Sequence, residues 1–495
     1  EICACLVGSE MCIRDSFLVV NLVEWVKMTC GNVSFSIILL QLTSPIKGTD
    51  SGIINSIIKT AVVPPVLLAV AAVLCYLFIV RGMYALEDLP VKKIPRWSKI
   101  CIEVVMVVFF LHTVQVQGTE IGMWDYIQSV RESSDFYEKE YVNPAKVKMT
   151  FPKEKKNLIY IFMESMESSY ADKEDGGTMD DNYIPNLTKL ARENVQFTDK
   201  KDGKVGGPVC LEATAYTAGG LVAQTSAINL KVMNSGAVSD SFLPNLTALG
   251  DILNKQGYNQ MFLCGSDGDF AGRDAYFKTH KDYQIEDYKA AIKEGDIPKD
   301  YKVYLGHEDK VLYERAKKNL KKLSKEGKPF NLTMLTVDTH FPNGYICDLC
   351  ENKYDTTYGN AVACADRQVY DFVQWIKKQD FYEDTTIIIA GDHTSMVDTG
   401  SKFWKSLSND YQRTVYNAII NPQCAYKKKV TTKRKFSTMD MFPTTLAALG
   451  VEIDGNKLGL GTNLFSGEET LREELGANYI NKELKRNDKM YNQFY

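Results

Sequence analysis

From residue 157 onward the chain repeats one pattern, a short β-rich apolar run followed by a longer helix-compatible stretch, and this alternation limits the folds open to it. The runs fall at 157–162 (NLIYIF), 259–263 (NQMFL), 330–337 (FNLTMLTV) and 385–390 (TTIIIA). Each has the length and the β-branched or aromatic content of a buried strand. Strands alternating with helices predict an α/β fold with a largely parallel sheet flanked by helices. In such sheets ligands gather beyond the carboxyl ends of the strands, so the polar residues that follow each run are the ones to inspect. Glu164 follows NLIYIFM, Ser266 and Asp267 follow NQMFLCG, His340 follows NLTMLTVDT, and Asp392 with His393 follows TTIIIAG.

A carboxylate together with an Asp-His pair offers oxygen and imidazole donors suited to manganese, zinc or magnesium. Taken singly, a strand-end glutamate is more often a cap or an ion-pair partner; the combination is what points to a metal. A nucleophile is also needed, and the segment LEATAYTAGGLVAQTSAINL places threonines at the start of an apolar, small-residue helix. Thr217 is the strongest candidate, because a hydroxyl at a helix N-terminus sits where backbone N–H groups stabilise a phosphate oxyanion and a metal can lower its pKa. The competing reading is ordinary N-capping by Thr214 or Thr217.

The amino-terminal part has a different character. Residues 10–16 read EMCIRDS, the translation of a common sequencing adapter, so residues 1–16 are set aside as an artefact. Residues 17–117 read as a membrane region with at least two transmembrane helices, at about 60–80 and 101–117, and residues 17–25 as the remnant of an earlier span whose beginning is missing. Arg81, Lys92, Lys93, Arg96 and Lys99 lie between the two spans, which predicts a cytoplasmic loop and an extracytoplasmic carboxyl-terminal part. Residues 118–154 read as a linker, 155–470 as one catalytic domain and 471–495 as a tail.

A net charge of -4 gives no basic field for nucleic acid, and the lysine runs near 427–435 read as solvated loops. Six of the twelve cysteines lie beyond residue 150, an even count that permits three disulfides. Cys347 and Cys350 form a C-x-x-C, a pattern read first as disulfide or buried thiol and second as a zinc site.

The ordered set NLIYIFMES, PNLTKLA, TAYTAGGLVAQ, GRDAYF, THFP, IIIAGDH and STMDMFPTTLAALG resembles the lipoteichoic acid synthase and phosphoglycerol transferase group of the sulfatase and alkaline phosphatase-like superfamily, over about residues 155–470. The resemblance implies an alkaline phosphatase/sulfatase-like fold on the outer side of a bacterial cell membrane. It implies one divalent cation, most often Mn2+ with Mg2+ or Zn2+ as alternatives, held by Glu164, Thr217, Asp392 and His393. By the same mapping Thr217 is the nucleophile, His340 contacts the phosphate and serves in acid-base transfer, and Arg273 binds the glycerol phosphate. The implied donor is phosphatidylglycerol, and the acceptor an envelope glycolipid, a glycerol phosphate polymer or a glucan. Phe270, Ala271 and Gly272 stand where the polymer-forming synthases carry a tryptophan, and Cys264 where they carry a histidine. General phosphoglycerol transfer is therefore the expectation, rather than polymer synthesis as such. Asp440, in the last of those strings, reads as a structural cap.

Three rivals stand beside this reading. A sulfatase-like hydrolase would need C/S-x-P-x-R, whereas Cys210 is followed by Leu-Glu-Ala-Thr. A phosphoethanolamine transferase shares the threonine nucleophile and the fold. An inactive envelope scaffold protein would have no use for an intact Glu164, Thr217, Asp392 and His393.

Overall fold

The runs rich in Ile, Leu, Phe and Thr do form the central strands, because a strand covered by helices on both faces can be apolar at every position. The structure, a computed structural model, describes residues 16–25, 35, 38–39, 57–68, 70–71, 74, 96–201, 203–231, 241–281, 283–397, 399–408 and 410–495. The chain divides into two compact units, Glu1–Ile38 with Thr49–Gln128 and Leu39–Gly48 with Ser129–Tyr495.

The first unit contains helix α1 (Arg96–Glu120), which covers the whole of the 101–117 segment. Val104, Val105, Val107, Val108, Phe109 and Leu111 are exposed on it. Even so, among the described residues no helix is long and apolar enough to cross a membrane. The expectation of spanning helices is thus not met by α1, whose apolar run is broken by Glu103, His112, Gln115 and Gln117. The other expected span, 60–80, lies largely outside the described residues.

The second unit is built on a six-stranded mixed sheet, described here after two short strands, β1 (Ser133–Ser134) and β2 (Met149–Thr150). Its strands are β3 (Asn157–Met163), β4 (Asn259–Cys264), β5 (Gln284–Glu286), β6 (Phe330–Leu335), β7 (Thr385–Gly391) and β8 (Asn417–Ile420). They lie in the order β5-β4-β6-β3-β7-β8. Every pairing is parallel except the last, where β8 runs antiparallel to β7. Three minor pairings complete the unit: β2 with β9 (Glu452–Ile453), β10 (Lys457–Leu458) with β11 (Gly461–Thr462), and β1 with β12 (Asn487–Asp488).

Period-two alternation sends Ile159, Ile161, Met261, Met334, Ile387 and Ile389 to one face of the sheet. There they form one buried cluster with residues of α2 (Pro185–Glu193) such as Leu187 and of two helices further along the chain. The opposite face receives α3 (Thr217–Ser226), where the Tyr160 hydroxyl donates to Gln224 at 3.0 Å. Phe262 stacks there on Phe277 of α4 (Arg273–Thr279). The two helices of the first face are α5 (Asp309–Leu323), which buries Leu312, and α6 (Thr357–Ile376), which buries Phe372. On the second face Thr386 donates to the carbonyl of Ala448, at the end of α7 (Met441–Ala448). Burying a Leu, Ile or Phe side chain stabilises by about 1.5–3 kcal/mol each, so a sheet covered on both sides is a rigid base for whatever stands on its edge.

The residues on either side of this core are also ordered. Phe136 and Tyr137 are buried, with Tyr137 packed edge-on to Tyr491 at 5.2 Å and to Phe494 at 5.9 Å. Of the cysteines, Cys350 and Cys364 form a disulfide, whereas Cys210, Cys264, Cys347 and Cys424 are free. The three bridges that the even count permits reduce to one among the described residues, since burial rather than pairing accounts for Cys264 and Cys347.

Candidate metal centre

Strand register alone brings the first two candidates together. Met163, the last residue of β3, is the partner of Gly391, the last residue of β7, so Glu164 and Asp392 leave adjacent strands side by side. His340 lies beyond the neighbour on the other side, because β6 pairs with β3 and ends at Leu335.

Close backbone approach then delivers Thr217. A Cβ on Gly220 would stand 2.2 Å from the Asp392 carbonyl oxygen, so only glycine lets α3 settle on the end of β7. Gln224 seals the contact by donating to the Gly391 carbonyl at 2.9 Å. Thr217 is the first residue of α3, and no side chain caps the helix. Its hydroxyl donates instead to Glu164 Oε2 at 3.2 Å and lies 3.4 Å from His393 Nε2. Thr214 is occupied with the Leu211 carbonyl. The capping alternative therefore fails for both threonines.

Glu164, Asp392 and His393 offer ligand atoms within 4.8 Å of one another, and all three residues are buried. His393 Nε2 is 3.3 Å from Glu164 Oε1 and 3.5 Å from Asp392 Oδ2. His393 Nδ1 lies 2.8 Å from the Thr394 carbonyl, which can only accept, so Nδ1 carries the hydrogen and Nε2 keeps its lone pair for the site. Asp392 Oδ1 accepts two backbone N–H groups, from Ser165 at 2.8 Å and His393 at 2.7 Å. Asp392 Oδ2 is buried with no hydrogen-bond partner. A buried carboxylate oxygen left unpartnered is costly, and a cation is the group that satisfies it. The donor set of two carboxylates, an imidazole and a hydroxyl fits a borderline or hard divalent ion.

The electrostatics agree with a site built for positive charge. Burial, reinforced by the charge of Glu164, pushes the Asp392 carboxyl upward. Burial also opposes ionisation of Glu164, but His393 and His340 outweigh it and hold that carboxyl below its ordinary value. Burial alone would lower His393; Asp392 and Glu164 overcome it and push the imidazole up to about 9. Protons are thus held where a metal would place its charge.

His340 is half-buried, with Nδ1 donating to the Phe341 carbonyl at 2.8 Å, so its Nε2 is the free nitrogen. Tyr304 donates to the His340 carbonyl at 2.6 Å and fixes the backbone beneath it. Arg273 is buried and directed at its own loop, donating to Ser266 Oγ at 3.0 Å, the Asp267 carbonyl at 2.7 Å and the Phe270 carbonyl at 3.0 Å. Glu164, Thr217, Asp392 and His393 are thus in direct contact, His340 is close enough for its charge to act on Glu164, and Arg273 touches none of the five.

Sequence reasoning missed the residues that hold this group in place. Ser165, at a positive φ of 51°, donates its hydroxyl to Glu164 Oε1 at 2.7 Å while its N–H serves Asp392. Thr336 accepts the Glu164 N–H at 2.9 Å, and Thr339 donates to the Glu164 carbonyl. Glu167 accepts the Ser395 N–H at 2.8 Å and pairs with Arg413, which donates to the Ser395 carbonyl at 2.7 Å and lies over the Trp404 ring. That clamp fixes the chain just after His393. Asp440 does not cap α7; it closes a capping box with Ser437 at the turn before that helix, accepting from the N–H groups of Ser437 at 2.7 Å and Thr462 at 2.8 Å.

Phosphoglycerol transferase I from Salmonella choleraesuis (strain SC-B67) is 32% identical over 340 residues, which is 66% of this chain and 41% of that protein. The same enzyme from Shigella flexneri matches to the same extent. The chain therefore spans about 41% of the length of these relatives. Among solved structures, the lipoteichoic acid synthase LtaP from Listeria monocytogenes superposes with a TM-score of 0.51 at 19% identity, covering 65% of this chain and 79% of that one. The integral membrane lipooligosaccharide phosphoethanolamine transferase A from Neisseria meningitidis gives 0.53 at 15% identity, covering 90% and 84%. At such identities these two establish the fold. The sulfatase family model matches residues 156–451, more than half of the chain and the whole of the sheet and centre described above, and the protein belongs to the sulfatase family.

Proposed function

We propose that the protein transfers a phosphoglycerol group from phosphatidylglycerol to an envelope acceptor, through a covalent intermediate on Thr217. The observation that carries the reading is the Thr217 hydroxyl, turned away from any capping role and held 3.2 Å from Glu164 Oε2, with an unpartnered buried oxygen of Asp392 beside the same cluster. The name of the relatives at 32% identity supports phosphoglycerol as the group moved.

Glu164, Asp392, His393 and the Thr217 hydroxyl would hold the divalent ion, Mn2+ being our first choice; when bound it lowers the hydroxyl pKa and offsets charge on the phosphate. The Thr217 oxygen attacks the phosphodiester phosphorus, the bond from phosphorus to the diacylglycerol oxygen breaks, and a glycerophospho-threonine remains. Glu164 orients the hydroxyl through its hydrogen bond, takes its proton as the oxygen attacks and returns it when Thr217 is displaced. His340, as an imidazolium with Nδ1 bonded to the Phe341 carbonyl, gives its Nε2 proton to the departing diacylglycerol oxygen and, left neutral, takes one from the acceptor hydroxyl as that oxygen displaces Thr217. Two displacements let the lipid leave before a glycolipid, polyglycerol phosphate or glucan acceptor enters. Arg273 enters the glycerol subsite by reorienting from its loop acceptors. The exposed apolar residues of α1 supply the attachment to the cell membrane that a lipid donor calls for, with the catalytic unit on the outer side.

The test is to incubate the full chain with Mn2+ and a fluorescent-acyl phosphatidylglycerol, alongside Thr217→Ala, and follow labelled diacylglycerol. Release by the wild type alone supports the proposal. Cleavage of phosphatidylethanolamine instead would transfer the reading to phosphoethanolamine, and silence on both lipids with no bound metal would make the protein a non-enzymatic envelope component.

A further inference from the structure

The sulfurs of Cys347, Cys350 and Cys364 lie within 4.8 Å of one another, and none of them has a role in the reaction described above. Cys350 and Cys364 are bonded, and the free Cys347 sulfur stands 3.5 Å from Cys350 Sγ. The approach is fixed by the backbone: the Cys347 N–H donates to Cys350 Sγ at 3.2 Å, and the Cys350 N–H donates to the Cys347 carbonyl at 3.1 Å. A thiol held at van der Waals distance from one sulfur of a disulfide is placed for exchange rather than for storage.

We propose that these three cysteines form a thiol–disulfide exchange site, in which Cys350 is the shared sulfur and Cys347 and Cys364 are its alternative partners. As a thiolate, Cys347 bonds to Cys350 Sγ while the Cys350–Cys364 bond breaks. The electron pair of that bond leaves on Cys364, which takes up the proton that Cys347 released. No electron is gained or lost, so the step calls for no oxidant or reductant.

The two bonds tie different parts of the chain. Cys364 lies within α6, whereas Cys347 and Cys350 share the loop between β6 and α6, which also carries His340. The bond to Cys364 fastens that loop to the helix, and the bond to Cys347 leaves the fastening to weaker contacts. These are Lys310 with Asp348 at 2.7 Å, Arg367 with Glu351 at 2.6 Å and Arg367 with the Leu349 carbonyl. Exchange therefore decides how firmly the 340–350 segment is held.

Burial holds the Cys347 thiol above its ordinary value, with Asp338, Asp348 and Glu308 adding to the effect and Lys310 standing near, so the exchange is best followed in mildly alkaline buffer. The full chain is held there, quenched with acid, alkylated and mapped by peptide mass spectrometry. The wild type should yield both the 350–364 and the 347–350 bonds, with the label divided between Cys347 and Cys364. Cys364→Ser should contain the 347–350 bond, Cys347→Ser the 350–364 bond alone, and hydrogen exchange across 340–350 should be faster in the former. Wild type that shows only the 350–364 bond, with all free thiol on Cys347, overturns the proposal whether or not the variants fold. Three alkylatable thiols with one equivalent of bound zinc would overturn it as well and make the trio a metal site.

Discussion

Thr217 and Asp392 do different work, and their variants should separate it. Thr217→Ala should lose diacylglycerol release by about a thousandfold or more while the protein still binds metal through its three remaining donors. Asp392→Asn should lose the metal itself, measured by calorimetry with Mn2+. Ser165→Ala removes the hydroxyl bond to Glu164 and leaves the backbone N–H on Asp392, so it should weaken metal affinity by about tenfold, the size of effect seen when a ligand loses its supporting hydrogen bond. Protonation gives a further handle. Metal must displace the protons held by Asp392 and His393, so affinity should climb as pH rises toward about 9. Stability carries the opposite sign for the metal-free protein. Both groups have folded pKa values above their ordinary ones, so what they contribute is present at low pH and is lost as pH rises through about 8 for Asp392 and about 9 for His393. The rise in melting temperature that Mn2+ confers should therefore widen between neutral pH and 9, and a constant difference would speak against these two residues as ligands. Glu164, Asp392, His393 and Thr217 were legible in the sequence because each follows a strand run or opens a helix. Ser165 was not, because a serine after a strand-end glutamate says nothing until its positive φ is known.

At the scale of elements, the approach of α3 to the end of β7 is what turns four separate residues into a cluster. Gly220→Ala would press a methyl against the Asp392 carbonyl, 2.2 Å from where it would sit. It should cost about 1–3 kcal/mol of stability and reduce turnover by moving Thr217 off Glu164. A melting curve together with the diacylglycerol assay checks both effects, and an unchanged rate would show that α3 has room to shift. The four strand runs of the sheet interior were readable because a parallel strand covered on both faces is a continuous apolar string. The edge strands were not: β5 has three residues, and β8 reads NAII between polar stretches, so neither carries enough pattern to stand out. The antiparallel sense of β8 followed from nothing in its composition. Cysteine parity was equally silent about partners, since Cys264 is buried for its volume and Cys364 for its bond.

For the whole chain, the continuous part of the second unit runs from Ser129, well before its first long strand. A fragment starting near residue 145 would leave out Tyr137, packed on Tyr491 and Phe494, and Phe136, packed on Tyr479, whose burial is worth about 3–6 kcal/mol together. A fragment starting at Ser129 should therefore melt several degrees higher than the shorter one while binding Mn2+ equally, and equal melting temperatures would remove that role from the aromatic cluster. The length of its apolar runs made the amino-terminal region read as spans, yet α1, with its exposed valines, falls short of a spanning helix.

The pairing of β1 with β12 has a meaning in time as well as in space. A chain emerging from the ribosome at roughly 5–20 residues per second presents Phe136 and Tyr137 tens of seconds before Tyr491 exists to cover them. Every residue of the metal centre is made before the aromatic seam can close. A messenger that stops before codon 491 would consequently encode every residue of the candidate centre inside a unit that lacks its aromatic cover, and such a product should be lost to proteolysis rather than to any defect of chemistry.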